Sequence, residues 1–145
     1  MRYLGVDPGK KRVGLAVCDP TESLASPLQV LQRRALEQIV ADIAAVCRRE
    51  QVGAVVVGLP LNMDGSKGPA AQDAEHLAQK IAEAAGLPVH LWDERLSSVT
   101  VEQRLIELDM SRAKRRGKID KLAAQVILQG FLDARHHAAP SDDQQ

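Results

Sequence analysis

Five short apolar runs and four stripes at helical spacing divide the chain. Tyr3, Leu4 and Val6 lead to Asp7, Pro8-Gly9 turns the backbone, and Val13, Leu15 and Val17 alternate with small residues, which predicts a hairpin. Leu24 to Gln32 carries Pro27 and suits an edge strand, because proline cannot donate to a ladder on both sides. Leu36, Ile39, Val40, Ile43, Val46 and Cys47 recur at helical spacing, with Gly53 just beyond the expected end. Ala54 to Val57 is a continuous apolar run, the pattern of a strand covered on both faces. It ends at Gly58-Leu59-Pro60 and opens a polar loop from Asn62 to Gly68. Pro69 fits the first turn of a helix with Ala70, Ala74, Leu77, Ala78 and Ile81 on its buried stripe, and Gly86 fits its C-terminal cap. Val89 to Trp92 predicts a last strand, which runs into Asp93 and Glu94.

Thr100 with Gln103 reads as a capping box before Val101, Leu105 and Leu108, so a helix is expected there. Ser111 to Lys118 reads as a basic loop, and Ile119, Leu122, Ala123, Val126, Ile127 and Phe131 predict the final helix. Three consecutive strands followed by strand-helix units give an α/β fold: a five-stranded mixed sheet with helices on both faces and the first strand central. Residues 1–137 are expected to form a single domain, with 138–145 a disordered tail.

Composition narrows what such a domain can do. With 145 residues and 45% hydrophobic content the chain can bury a real core, but only one Phe, one Trp and one Tyr are present. Base recognition by an array of aromatic stacks is therefore disfavoured. Lys plus Arg and Asp plus Glu are both 19, for a formal net charge of zero, so attraction to a polyanion must come from clustering rather than from the chain as a whole. Cys18 and Cys47 sit in apolar patterns without CxxC spacing and read as reduced core residues. No signal-like start or long apolar run is present, so a cytoplasmic protein with no membrane segment is expected.

Three acids stand where strands and helices end: Asp7, Glu94, and Asp120 in the expected first turn of the last helix. Parallel first and fifth strands would bring Asp7 and Glu94 to the same sheet edge. Each has an ordinary structural explanation: an Asp-Pro-Gly turn, a solvated Asp93-Glu94-Arg95 ion pair, or an aspartate at a helix dipole. Together they describe hard-oxygen ligands for Mg2+ or Mn2+, arranged for a two-metal attack on a phosphodiester. Lys10, Lys11, Arg12 and Arg95, with Arg112, Lys114, Arg115, Arg116 and Lys118, are candidates to hold nucleic-acid phosphates.

The stretches GVDPGKKRVGLAV, VVVGLPLNMDGS, WDERLSS and KIDKLAAQVIL occur in the order and spacing of the YqgF family, also called RuvX, which the chain resembles over residues 2 to 133. The resemblance implies a ribonuclease H-like fold and a cytoplasmic, metal-dependent endonuclease that matures the 5' end of pre-16S rRNA. Some members also look like Holliday junction resolvases. It implies Asp7, Glu94 and Asp120 as catalytic metal ligands, with Asp93 and Asp64 as substitutes for the second. Many ribonuclease H-like relatives carry that acid on the fourth strand, which here ends in Gly58. Structured RNA or branched DNA would be the partner, and symmetric cutting of a four-way junction would need two sites and hence a homodimer. A phosphate-loop ATPase would need a second domain, and a non-catalytic RNA-binding assembly factor is separated from a nuclease by measured cleavage.

Overall fold

Strand β1 (Tyr3–Pro8) lies at the middle of a five-stranded sheet of order β3-β2-β1-β4-β5, as its apolar run predicts. The computed structural model describes residues 1–96 and 112–143, and the side chains of 96, 112–120 and 137–143 fall outside the described ones. The helix expected over Val101 to Leu108 lies outside these residues. β2 (Arg12–Cys18) and β3 (Ala25–Gln32) complete an antiparallel meander with β1, whereas β4 (Ala54–Leu59) and β5 (Val89–Asp93) run parallel to it. Helices α1 (Leu36–Arg49) and α2 (Pro69–Ala85) make the crossovers, a 3-10 turn (Glu94–Leu96) follows β5, and α3 (Arg112–Asp143) closes the described chain.

Pro27 is accommodated on the edge strand by a bulge. Leu15 pairs with Gln29 but Ala16 pairs with Pro27, so Leu28 is the extra residue and the ladder needs no N–H from the proline. Pro69 begins α2, and Gly86 ends it in the left-handed conformation (φ 66°) with its N–H donated to the Ala82 carbonyl at 3.0 Å. The end of α1 differs from expectation. The left-handed residue is Gln51 (φ 55°), and Gly53 instead starts the next pairing by donating its N–H to the Arg2 carbonyl at 2.8 Å.

The period-two pattern of the strands divides the core into two layers. Leu4, Val6, Val13, Leu15, Val55 and Val57 face α1 and α2, which contribute Ile39, Ile43, Leu77 and Ile81. Tyr3, Ala16, Cys18, Ala54 and Val56 face α3, which contributes Ala124, Ile127, Leu128 and Leu132. Cys18 and Cys47 are free and buried, as their apolar settings predict.

On the α3 side the sheet carries small residues, and Gly5 shows why. A Cβ there would lie 2.7 Å from Leu128 Cβ and 2.9 Å from the Ala124 carbonyl, so only glycine lets this helix rest on the central strand. The basic stretch after Ser111 is a correction to the sequence reading: residues 112–118 are helical rather than a loop. Arg, Lys and Ala are good helix formers, and extension from a turn already packed downstream costs little once nucleated. Gly117 alone opposes it, by about 1 kcal/mol. α3 also continues past Ala138 to Asp143. Among the described residues no helix is long and apolar enough to cross a membrane.

Candidate active site

Asp7 occupies the same face of β1 as Tyr3 and Gly5, the face covered by α3. Its partner on β2 is Gly14, and one step beyond the Val6–Val57 pairing its neighbour on β4 is Gly58. A carboxylate flanked on both sides by glycine has open space over the neighbouring strands. Glu94 enters that space from β5. A Cβ on Gly58 would collide with Glu94 Oε1, would lie 2.9 Å from Glu94 Cγ, and would lie 2.6 Å from Ile127 Cδ1, so the Glu94 side chain crosses β4 through the gap that this glycine leaves.

Across the gap Glu94 is hydrogen-bonded to Asp7, and its pKa is pushed up to about 8, first by burial, then by the Asp7 charge and their shared hydrogen bond, and last by Asp93. Two carboxylates this close hold a proton between them in the absence of a cation. Glu94 Oε1 is buried with no hydrogen-bond partner, an arrangement that costs free energy unless something electropositive is supplied. The donor set is hard oxygen with raised proton affinity, and it fits a divalent magnesium or manganese ion.

The other candidates for the second acid are committed elsewhere. Asp93 Oδ1 accepts the Arg95 backbone N–H at 2.9 Å, and Asp93 Oδ2 accepts Arg95 Nη2 at 2.6 Å, which holds its pKa below the usual range. Asp64 accepts both the backbone N–H (2.9 Å) and the hydroxyl (2.6 Å) of Ser66, and these bonds lower its pKa. Asp93 thus caps the 3-10 turn that aims Glu94, and Asp64 shapes the loop beside it.

The Asp120 side chain lies outside the described residues, but its backbone position is informative. Arg135 lies over the Tyr3 ring at 5.3 Å, while Ala124 and Leu128 pack on Gly5, so α3 runs antiparallel to β1. One turn back from Ala124 is about 6 Å, and Gly5 to Asp7 is about 6.6 Å along the strand. Asp120 therefore stands on the same helix stripe at the level of Asp7. It is also more than two turns inside α3, not in the first turn as the sequence predicted, which removes helix-dipole stabilisation as its reason. Among the described residues no group of three His, Cys, Asp or Glu gathers at one point; Asp7 and Glu94 are the pair that meets.

Of the basic candidates, Lys10 and Lys11 are exposed on the turn after Asp7 and Arg12 is half-buried. Arg95 is tied to Asp93 and donates Nη1 to the Met63 carbonyl at 3.4 Å, so it links the strand end to the Asn62–Gly68 loop. The side chains of Arg112, Lys114, Arg115, Arg116 and Lys118 lie outside the described residues. Of Gly14 and Gly58, which the pairing pattern places on either side of Asp7, the sequence reading passed over Gly14 and noted Gly58 only as the strand end that lacks an acid. Their signal was a glycine near the end of each strand that flanks Asp7, Gly14 two residues after Arg12 and Gly58 one before Leu59.

A family model described as "RuvX: Holliday junction resolvase" matches residues 1–134. A relative from Anaeromyxobacter sp. (strain Fw109-5), named "Putative pre-16S rRNA nuclease", is 52% identical over 94% of this chain and 99% of its own length. One of the same name from Myxococcus xanthus (strain DK1622) is 46% identical over 99% of this chain and 93% of its own. Among solved structures, RuvC of T. thermophilus in complex with a Holliday junction substrate superposes with a TM-score of 0.60 at 20% identity, covering 94% of this chain and 96% of that one. The fowlpox virus Holliday junction resolvase gives 0.53 at 14% identity, covering 92% and 99%. Both show the ribonuclease H-like fold that the sequence resemblance implied. Matched from its first residue through about two thirds of α3, and with relatives about half identical over nearly their whole length, the chain belongs to the RuvX family.

Proposed function

We propose that the protein is a divalent-metal-dependent endonuclease that hydrolyses phosphodiester bonds in maturing the 5' end of pre-16S rRNA in the cytoplasm. The observation that carries this reading is the passage of Glu94 over Gly58 to meet Asp7, with Glu94 Oε1 buried and unpartnered. Asp7 and Glu94 would hold magnesium or manganese, with Asp120 approaching from α3 at the same level. When bound, the ions supply water activation at neutral pH and neutralisation of charge on the attacking and leaving oxygens. The protein's own part is to hold the two carboxylates side by side at a half-buried sheet edge, where their shared proton can leave to solvent in exchange for a cation. Exposed Lys10 and Lys11 on the adjoining turn, and the basic first turns of α3, offer contacts to flanking phosphates. Arg95, already bound to Asp93, acts as a tether for the loop rather than as a primary phosphate ligand. The names of the curated relatives support precursor rRNA as the substrate.

Labelled precursor rRNA and a synthetic four-way junction, each incubated with magnesium and then with manganese, test the proposal. Cleavage of the rRNA at its mature 5' end is expected, and Asp7→Asn should abolish it while leaving the protein folded, with a melting temperature in chelator at or above that of wild type because a charge that opposes Glu94 is gone. Wild-type cleavage by Asp7→Asn would overturn the reading. Cleavage of the junction alone would move the substrate from RNA to branched DNA.

A further inference from the structure

Arg33, which follows β3, touches three parts of the chain around the candidate site. Its backbone N–H donates to the Lys11 carbonyl at 2.9 Å, and its Nη1 donates to the Gly9 carbonyl at 3.1 Å. Nη1 and Nη2 also donate to Asp73 Oδ2 and Oδ1, both at 2.8 Å, in a two-pronged pair with a carboxylate on α2. The turn so held, Pro8 to Lys11, is the one that leaves Asp7. Gly9 donates its own N–H to the Asp7 carbonyl at 3.0 Å, and a Cβ on Gly9 would run into the Arg12 carbonyl. Only glycine fits this turn, and glycine restrains the backbone least, so the Asp7 peptide depends on an outside grip to stay in one orientation.

We propose that Arg33 and Asp73 are a positioning pair: they lock the turn after Asp7 against α2 and thereby set how tightly the Asp7–Glu94 pair binds a divalent cation. The inference rests on the metal-dependent reading of that pair. Arg33 supplies the geometry that this role needs. Its side chain is 12% exposed while that of Asp73 is 43% exposed, so the guanidinium is set into the structure and the carboxylate anchors it from the solvent side. An ion pair with one partner so exposed contributes little to global folding, whereas a two-pronged guanidinium is strongly directional. No lysine could reproduce it, because a single ammonium cannot make two parallel bonds to Asp73 and still reach Gly9 in a fixed plane.

The test is a manganese titration followed by thermal shift, which needs no cleavage, run beside a cleavage assay over the same concentrations. Arg33→Met keeps bulk and removes all side-chain donors. It should raise the manganese concentration for half-maximal stabilisation by about tenfold, the usual effect of removing a group that orients a metal ligand, and shift the half-maximal concentration for cleavage by the same factor. Arg33→Lys should recover part of that loss. Asp73→Asn removes the charge and one of the two accepting oxygens at a half-exposed position, so it should fold and show a smaller shift in the same direction. A lower metal-free melting temperature with unchanged half-saturating manganese, in both Arg33→Met and Asp73→Asn, would assign the pair to folding alone and overturn the proposal. If the wild type itself gains no stability from manganese, the reading of Asp7 and Glu94 as a cation site fails, and the proposal with it.

Discussion

Gly58 stands near the end of β4, beside Asp7 on the central strand, and its lack of a side chain is what the site uses. It contributes no ligand, but the space above it is where Glu94 crosses. The longer side chain of Glu spans the width of β4, while Asp93, one residue earlier, is turned to Arg95. Gly58→Ala would place a methyl group against Glu94 Cγ and Ile127 Cδ1, at a cost of about 1–3 kcal/mol if the side chains must shift. Ile127 is held in the core, so Glu94 is the group that should move. A misplacement of about 1 Å at such a centre can lower activity about a hundredfold. Cleavage by Gly58→Ala is therefore expected to fall by at least about tenfold, with the protein still folded by circular dichroism. Full activity in this variant would mean that Glu94 does not act from across β4.

Helix α3 carries the face that closes the site, and its position follows from small residues on the sheet beneath it. Gly5 lets Ala124 and Leu128 approach the central strand, and Gln125 Nε2 and the Gln129 side chain bond to Ala25 at 3.0 Å and 2.8 Å, which fixes the helix lengthwise along the meander. Asp120 and Arg112–Lys118 continue that line toward and past the sheet edge. Seven residues of helix reach about 10 Å, long enough to follow a nucleic-acid backbone leaving the site. Replacing Arg115 and Arg116 together with Ala should weaken binding to precursor rRNA and to a four-way junction alike, because side chains that hold phosphates do not read bases. It should also reduce the slope of log affinity against log salt by about 1–2, since each phosphate that a cationic side chain neutralises releases about one counterion. An unchanged slope would place phosphate binding elsewhere, with Lys10 and Lys11 the next residues to test.

Taken together, the two core layers make a stable platform on which one unfavourable feature is held, the burial of the Glu94 carboxyl beside Asp7. Its cost is read in the pH dependence of stability. Glu94 ionises near 4.5 in an unfolded chain and near 8 when folded, so between these values the folded state holds a proton that the unfolded state has released. Stability without metal should be fullest below about pH 4.5 as far as this group is concerned, and should fall as pH rises toward about 8. Melting temperatures in chelator across that range should show the decline in wild type and a smaller one in Glu94→Gln. Equal slopes in the two proteins would show that folding does not raise the proton affinity of Glu94.

Much of this was legible before any coordinates. The central place of β1, the edge position of β3 with its Pro27, the Pro69 start and Gly86 end of α2, and the burial of both cysteines follow from residues a few positions apart, where sterics and hydrogen bonding act locally. Asp7 and Glu94 were legible as candidates because both stand where apolar strands end. Their arrival at one sheet edge was legible too, from parallel first and fifth strands, but the path by which they meet was not, since it depends on two successive parallel pairings that bring Gly58 level with Asp7 and on the absence of a side chain between them. The grip of Arg33 on Gly9 and Asp73 was equally hidden: those residues are distant in sequence, and none lies in a pattern that local chemistry could flag. The helical state of residues 112–118 was misread for a related reason, because a charge-rich stretch with no apolar stripe of its own takes its conformation from the packed turns that follow it. Periodicity and capping are properties of neighbours along the chain, whereas a gap over a glycine exists only once three strands and a helix are stacked around it.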